Sequence, residues 1–287
     1  VSLVRSLFVA SRPLSWVNTA FPFAAAYFVT TRDVDLVLVI GALYFLIPYN
    51  VAMYGINDVF DYESDLRNPR KGGVEGALLD PGVHRATLIA AAASNVPFLV
   101  YLFAVGSPLS AVVLVISVFA VVAYSAPGLR FKERPFVDSI TSSVHFVSPA
   151  VFGLTLAGAQ VTTGLIAILV SFFLWGAASH AFGAVQDIVA DREGRISSIA
   201  TEIGGRATVR LAFVAYVLAG VLLLFLGLPG AIASVLALPY ALSVLPFWSI
   251  SDENAESANR GWKRFLGFNF ASGFVVTLLL IWWCATT

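Results

Sequence analysis

Nine stretches of this chain are apolar for long enough to cross a bilayer, and that feature decides most of what it can fold into. They run roughly over residues 13–31, 36–57, 86–105, 109–126, 137–158, 164–187, 209–228, 230–250 and 265–285. Lipid offers bare backbone no hydrogen-bond partner, so stretches of this length must be helices. Composition agrees: 59% of the 287 residues are hydrophobic and 12% are charged. An ordinary soluble domain carries about 25% charged residues. The expected fold class is therefore all-α, a polytopic membrane bundle of nine transmembrane helices. The first stretch lacks a small-residue cleavage site, so no signal peptide is read. A formal net charge of zero argues against a nucleic-acid partner. Cys284 is the only cysteine, which excludes an intrachain disulfide and a cysteine-rich zinc site.

Turn chemistry at Gly106-Ser107-Pro108 and Gly227-Leu228-Pro229-Gly230 joins neighbouring spans. With nine spans, 16 of the 17 basic residues fall on one side and only Arg32 lies opposite. The positive-inside rule then places the N-terminus and the long loops in the cytoplasm. Of the 17 acids, 15 fall on that same side. Topology does not require this, because acids contribute little to orientation.

The acids have a second explanation. The second span ends in Asn57-Asp58-Val59-Phe60-Asp61-Tyr62-Glu63-Ser64-Asp65. Spacings of three and four put Asp58, Asp61 and Asp65 on one helical face, bordered by Asn57. Stacked like charges repel, and a divalent cation removes that cost. Hard oxygen ligands suit Mg²⁺, which takes a few carboxylates plus phosphates and water. The sixth span ends in Gln186-Asp187-Ile188-Val189-Ala190-Asp191, again with two acids on one face. Both clusters close even-numbered spans and reach the same side. Such faces at one level can hold two metals around one diphosphate. The plainer alternative is a pair of solvated helix ends, but acids at a helix C-terminus oppose its dipole.

Bases follow the acids. Arg67, Asn68, Arg70 and Lys71 succeed the first cluster, and Arg192 and Arg195 the second. Arg130, Lys132 and Arg134 form a third set. Such side chains suit phosphate oxygens, although topology signalling alone also accounts for them. Gly72, Gly73 and Gly76 make the 2–3 loop pliable, as a lid needs, or serve only as turn glycines. Inside the spans, His180 lies two turns before Asp187, about 10 Å deeper. Asn50 bears the same relation to Asn57. Asp138, Thr141, Ser142 and His145 make a polar stripe on the fifth span. Buried polar groups of this kind serve either as interhelical glue or in chemistry.

Asn57-Asp58-x-x-Asp61-x-x-x-Asp65 together with Asp187-x-x-x-Asp191 resembles the two aspartate-rich motifs of the UbiA superfamily of intramembrane prenyltransferases. The resemblance covers nearly the whole chain. It implies a single domain over 1–287, a central cavity, and cap loops at the cytoplasmic face. Carried over by position, Asn57, Asp61, Asp65, Asp187 and Asp191 hold Mg²⁺ and diphosphate, and Asp58 belongs to the same motif. Arg67, Lys71, Arg130 and Lys132 fall in loops where the family keeps phosphate-binding bases, with Asn68 and Arg134 beside them. A narrower resemblance, to bacterial lycopene elongases, is carried by Ser11–Ala20, Leu46–Asp65, Arg67–Gly76 and Tyr124–Phe136. It implies dimethylallyl diphosphate as donor and lycopene as acceptor, giving acyclic C45 and C50 carotenoids of the flavuxanthin type.

On that reading, loss of diphosphate leaves an allylic cation that Tyr49, Tyr54 or Tyr124 can face. The acceptor's terminal double bond attacks it, and His180, His145, diphosphate or water settles the final cation. Two rival readings stand beside this one. An aromatic prenyltransferase of quinone biosynthesis shares the metal site but needs a polar acceptor pocket. A secondary transporter places its charged site near the midplane, on broken helices.

Overall fold

The computed structural model describes residues 3–66 and 78–286. Among them every regular element is helical. The chain divides into two compact units, Val1–Phe131 with His145–Ala159, and Lys132–Val144 with Gln160–Thr287. The first unit contains α1 (Leu3–Ala10), α2 (Val17–Thr31), α3 (Leu36–Leu46), α4 (Pro48–Phe60), α5 (Tyr62–Asp65), α6 (Pro81–Val105) and α7 (Pro108–Ser125). It also takes the second half of α8 (Val137–Leu156), whose first half belongs to the other unit. The second unit continues with α9 (Thr163–Val185), α10 (Ile188–Glu193), α11 (Ile199–Ile203), α12 (Gly205–Leu224) and α13 (Gly227–Ser234). It ends with α14 (Ala237–Val244), α15 (Asn259–Trp262) and α16 (Phe265–Thr286).

Eight helical runs among the described residues are long and apolar enough to cross a membrane. The ninth expected span, 13–31, yields the 15-residue α2, about 22 Å long, after a 3₁₀ turn at Pro13–Ser15. Large apolar side chains stay bare on these runs, among them Val100 and Phe274, each 65% exposed. Lipid is the solvent that such surfaces require.

Prolines set the breaks. Pro48 has no N–H for the carbonyl four residues back, so the second span divides at Ile47 into α3 and α4. The Asn50 amide caps the break by donating to the carbonyls of Phe45 (2.8 Å) and Leu46 (3.1 Å) and to the Thr19 hydroxyl (2.8 Å). Asn50 therefore serves as glue. Pro239 acts similarly between α13 and α14, where Leu236 and Leu238 tighten to bonds three residues back. The Gly106-Ser107-Pro108 turn forms as expected, with Ser107 capping α7. The second expected turn falls earlier. Gly227 takes a φ of 77°, and Leu228, Pro229 and Gly230 lie in the first turn of α13, where proline loses no bond.

In the first unit, Phe23, Tyr27, Tyr44, Phe45, Tyr49 and Phe152 form an aromatic core. Gly153 brings α8 onto α2, where a Cβ would lie 2.7 Å from the Phe23 carbonyl oxygen. In the second unit, α9 and α12 pack through small and hydroxyl residues. Ser171 donates to the Ala219 carbonyl (2.7 Å), and Ser179 shares a bond with the Tyr216 hydroxyl (2.9 Å).

The glycine contact yields a prediction. Gly153→Ala sets a methyl against rigid backbone, so it should destabilise the protein by about 1–3 kcal/mol. Thermal unfolding in detergent reads this, and an unchanged midpoint would contradict the packing described.

Candidate active site

The first acidic face forms where α4 stops. Asp61 leaves the helix at φ −101°, ψ −3°, the sparsely populated bridge region that active-site residues often occupy. The i to i−4 ladder nonetheless continues, from Asp61 N–H to the Asn57 carbonyl (2.9 Å) and from Asp65 N–H to the Asp61 carbonyl (2.8 Å). Asn57, Asp61 and Asp65 thus stay in register across the break. Asp58, Asp61 and Asp65 are 1%, 4% and 7% exposed. Buried carboxylates are costly unless cations or donors surround them.

Three elements supply such groups. The Asn57 amide donates to Asp61 (2.7 Å) and to the buried Ser125 hydroxyl at the end of α7 (2.9 Å). Arg130, from the loop after α7, stands 3.8 Å from Asp61. Arg12, from the turn after α1, pairs with Asp58 at 2.9 Å. Arg12 and Arg130 have φ of 50° and 41°, values that L-residues rarely adopt. The backbone accepts that strain where both guanidinium groups meet the acidic face.

Two of these contacts bear on the expected roles. The Asp58 carboxylate meets Arg12, which distinguishes its surroundings from those of Asp61 and Asp65. The same Arg12 guanidinium lies over the Tyr54 ring at 4.3 Å. Tyr49 is also committed, with its hydroxyl bonded to Ser117 and its ring packed against Phe45. Tyr124 is half-buried and meets the His145 ring edge-on at 5.2 Å.

The second acidic face repeats the corner of the first, although Asp187 N–H bonds the Ala184 carbonyl three residues back (3.1 Å) where Asp61 N–H bonds four back. α9 ends at Val185, and Asp187 takes φ −96°, ψ −5°, within a few degrees of Asp61. Asp191 N–H again bonds the Asp187 carbonyl at 2.8 Å. Asp187 and Asp191 are half-buried. Gln186, just before them, accepts from the Asn259 amide. Deeper in α9, His180 Nδ1 lies 3.1 Å from the Ser139 hydroxyl. Asp138 accepts from the backbone N–H groups of Ser139 and Ile199, each at 2.7 Å, and so fastens α11 to α8.

The bases divide into three groups. Arg192 pairs with Asp252 at 2.7 Å, and Asp252 also accepts from Gly205 N–H at the start of α12. Lys132 is half-buried and Arg134 is exposed, on the segment between α7 and α8. Arg67, Asn68, Arg70 and Lys71, with Gly72, Gly73 and Gly76, lie outside the described residues. Sequence reading assigned no site role to Arg12 and Ser125. The signals for them are that both lie in segments that carry the lycopene-elongase resemblance, and that each stands one or two residues before a proline, in Arg12-Pro13 and Ser125-Ala126-Pro127.

The fit to Mg²⁺ rests on donor chemistry. Asn57, Asp61, Asp65, Asp187 and Asp191 offer hard oxygens only. No three His, Cys, Asp or Glu side chains converge into a ready cage among the described residues. Mg²⁺ does not need one, since it usually takes one or two carboxylates and completes its shell with phosphate and water.

An all-helical, membrane-spanning protein with two acidic helix ends of one local geometry defines the class. The chain belongs to the UbiA prenyltransferase family, which it matches over residues 19–273. It is 57% identical over 281 residues to "C(50) beta-cyclic carotenoids biosynthesis protein LbtBC" of Dietzia sp. (strain CQ4), covering 98% of this chain and 65% of that one. It thus spans about two thirds of that relative's length. It is 54% identical over 278 residues to a lycopene elongase/hydratase of Corynebacterium glutamicum, covering 97% of each. Among solved structures it is similar to a UbiA homolog from Archaeoglobus fulgidus bound to GPP and Mg²⁺. The TM-score is 0.68 at 19% identity, over 95% of this chain and 99% of that one. The same homolog bound to DMAPP and Mg²⁺ gives a TM-score of 0.67 at 20% identity, with the same coverage.

The Arg12–Asp58 pair is open to test. Arg12→Met removes the guanidinium from a buried carboxylate and should cost about 3–5 kcal/mol. Arg12→Met with Asp58→Leu removes both charges and should recover most of that loss. Unfolding midpoints of the detergent-solubilised variants decide the matter. A double variant no more stable than the single one would contradict the pairing.

Proposed function

We propose that this protein transfers C5 dimethylallyl groups from their diphosphate to the ends of lycopene, giving C45 and C50 acyclic carotenoids of the flavuxanthin type. One observation carries the proposal: two acidic helix ends of matched geometry, in a chain 54% identical to a lycopene elongase/hydratase. Carbon counting supports the donor. Lycopene is a forty-carbon chain, and the Dietzia relative is named for C(50) products, so two five-carbon additions close the difference.

Asn57, Asp61, Asp65, Asp187 and Asp191 are the residues that would hold Mg²⁺. When bound, the metal neutralises the charge that develops on the departing diphosphate. Arg130, Lys132 and Arg134, with Arg67, Asn68 and Lys71, bind the diphosphate oxygens. Asn57 orients Asp61 through its hydrogen bond, while Asp58 works at one remove by holding Arg12 in place.

Chemistry begins when the allylic C–O bond breaks and the electron pair leaves with diphosphate. The allylic cation is attacked by the terminal double bond of lycopene, forming a carbon–carbon bond and a tertiary cation. Loss of a neighbouring proton restores an alkene. Addition of water with loss of a proton instead gives a hydroxyl, in keeping with the relative's name as a hydratase. His180 is assigned as the proton acceptor, with Ser139 fixing its ring. The acceptor enters sideways from lipid, since lycopene is roughly as long as the hydrocarbon core is thick. The N-terminus and the basic loops face the cytoplasm, by the positive-inside rule.

Washed membranes supplied with labelled dimethylallyl diphosphate and lycopene test the reading. C45 and C50 products should form with Mg²⁺ and disappear with EDTA. Asp61→Ala and Asp187→Ala should each lower turnover by about 100-fold or more, the scale of losing one charge-stabilising group. Product on a hydroxybenzoate acceptor in place of lycopene would overturn the assignment.

His180→Gln tests the base separately. Product formation should slow, with a shift towards hydroxylated product, while diphosphate binding stays normal. An unchanged rate and product pattern would leave His180 as packing against Ser139.

A further inference from the structure

The second unit carries a cleft of about 570 Å³ that none of the residues assigned above enters. Its lining includes Ser243, Ser249, Ser251, Asn254, Arg260 and Arg264, over an apolar floor formed by Phe247 and Ile250. The volume is that of a small-molecule site. Its charge is one-sided, because two arginines line it and no acid does. Glu253 and Glu256 lie on the adjoining segment outside the lining, and Asp252 is already bound by Arg192 and Gly205.

The two arginines are four residues apart across the turn of α15, which Arg264 N–H continues by bonding the Gly261 carbonyl at 3.2 Å. Both arginines line the one cleft, where like charges repel unless an anion lies between them. Arg260 Nε reaches the Ser257 carbonyl at 3.5 Å, which turns its outer N–H groups away from that contact. The Ser243 hydroxyl donates to the Tyr240 carbonyl at 2.7 Å, so its oxygen remains an acceptor in the buried part of the cleft. Guanidinium forks beside hydroxyls suit a phosphate that carries a hydroxylated neighbour.

Position adds the second half of the argument. α16 begins at Phe265, the residue after Arg264, and runs 22 residues as an apolar helix. Leu242 and Leu245, beside the lining, are 61% and 44% exposed. Trp248 is stacked by Arg210 at 5.1 Å, an arrangement suited to a headgroup boundary. These neighbours give the cleft the surroundings that a lipid headgroup with its acyl chains would require.

We propose that this cleft binds a phosphate group, and that an anionic phospholipid headgroup supplies it. The proposal is independent of prenyl transfer. The full chain in detergent is titrated with dioleoyl phosphatidylglycerol, with phosphate-free dioleoylglycerol, and with inorganic phosphate. Each is repeated on Arg260→Gln with Arg264→Gln, on Arg264→Gln alone, and on Lys263→Gln as an exposed neighbour outside the lining. Phosphatidylglycerol should bind the wild type, and the double variant should bind it about tenfold or more weakly, with Lys263→Gln unchanged. Inorganic phosphate that displaces the lipid at millimolar concentration would support the cleft with a soluble anion as its source. Equal binding by the double variant, an equal loss in Lys263→Gln, or equal binding of dioleoylglycerol would each overturn the proposal. Because both arginines are exposed, the unfolding midpoints of the variants should match the wild type. Arg264→Gln alone gives the second reading if the double variant does not fold.

Discussion

A carboxylate that has lost nearly all its water must be given positive charge, and the first unit is organised around that requirement. Asp58, Asp61 and Asp65 lie within two turns and are each less than a tenth exposed. Left as an isolated cluster they would oppose one another and the helix dipole. Groups from three separate places meet them: Arg12 after α1, Ser125 with Asn57, and Arg130 beyond Gly128. The turns that carry the two arginines adopt left-handed backbone angles at non-glycine positions, which cost about 1–3 kcal/mol each. That cost is tolerable because each turn places a cation against a buried acid.

A similar economy governs the membrane helices. Every backbone polar group in lipid needs a partner, so a proline in a span creates a local debt. At Pro48 the debt is met by Asn50 and Thr19, both buried and both committed to carbonyls near the break. At Pro239 it is met by tightening to bonds three residues back. Polar residues inside spans therefore have two occupations, which sequence alone does not separate. Asn50 turns out to be mortar. His180, equally polar and also two turns before the acidic end of its span, is tied to Ser139 by one ring nitrogen.

Much of this was legible in the sequence because hydrophobicity, charge and the aspartate spacing are all local signals. The long helices, the Gly106-Ser107-Pro108 turn and the two acidic helix ends follow from runs of residues and from their periods. Interactions between distant segments were not legible. Nothing in the spacing of Asp58, Asp61 and Asp65 says that Arg12, 46 residues before Asp58, claims one of the three. Nor does the run Asp191-Arg192 say that Asp252, sixty residues on, neutralises the arginine. The count of nine spans strained at its first member, since Pro13 and the turn after it leave α2 shorter than the other eight. Turn placement at Gly227 erred by a few residues because Leu-Pro-Gly reads as a turn and also suits the start of a helix.

The repetition of one geometry at Asp61 and Asp187 says why this motif is built at helix ends. An uninterrupted helix would continue its ladder through the acids and hold every carboxylate flat along its side. A single residue in the bridge region lets the chain swing while the next bond, from four residues on, recovers the register. The first aspartate then stands at the corner and the second one turn beyond it, both times four residues apart. Two corners with agreement within a few degrees in both φ and ψ, set in different units and different sequence contexts, are hard to attribute to separate local accidents. A shared demand on the carboxylates is the simpler cause. Hard oxygens presented from a corner, rather than from a helix flank, leave room for phosphate and water to complete the coordination of a small divalent ion.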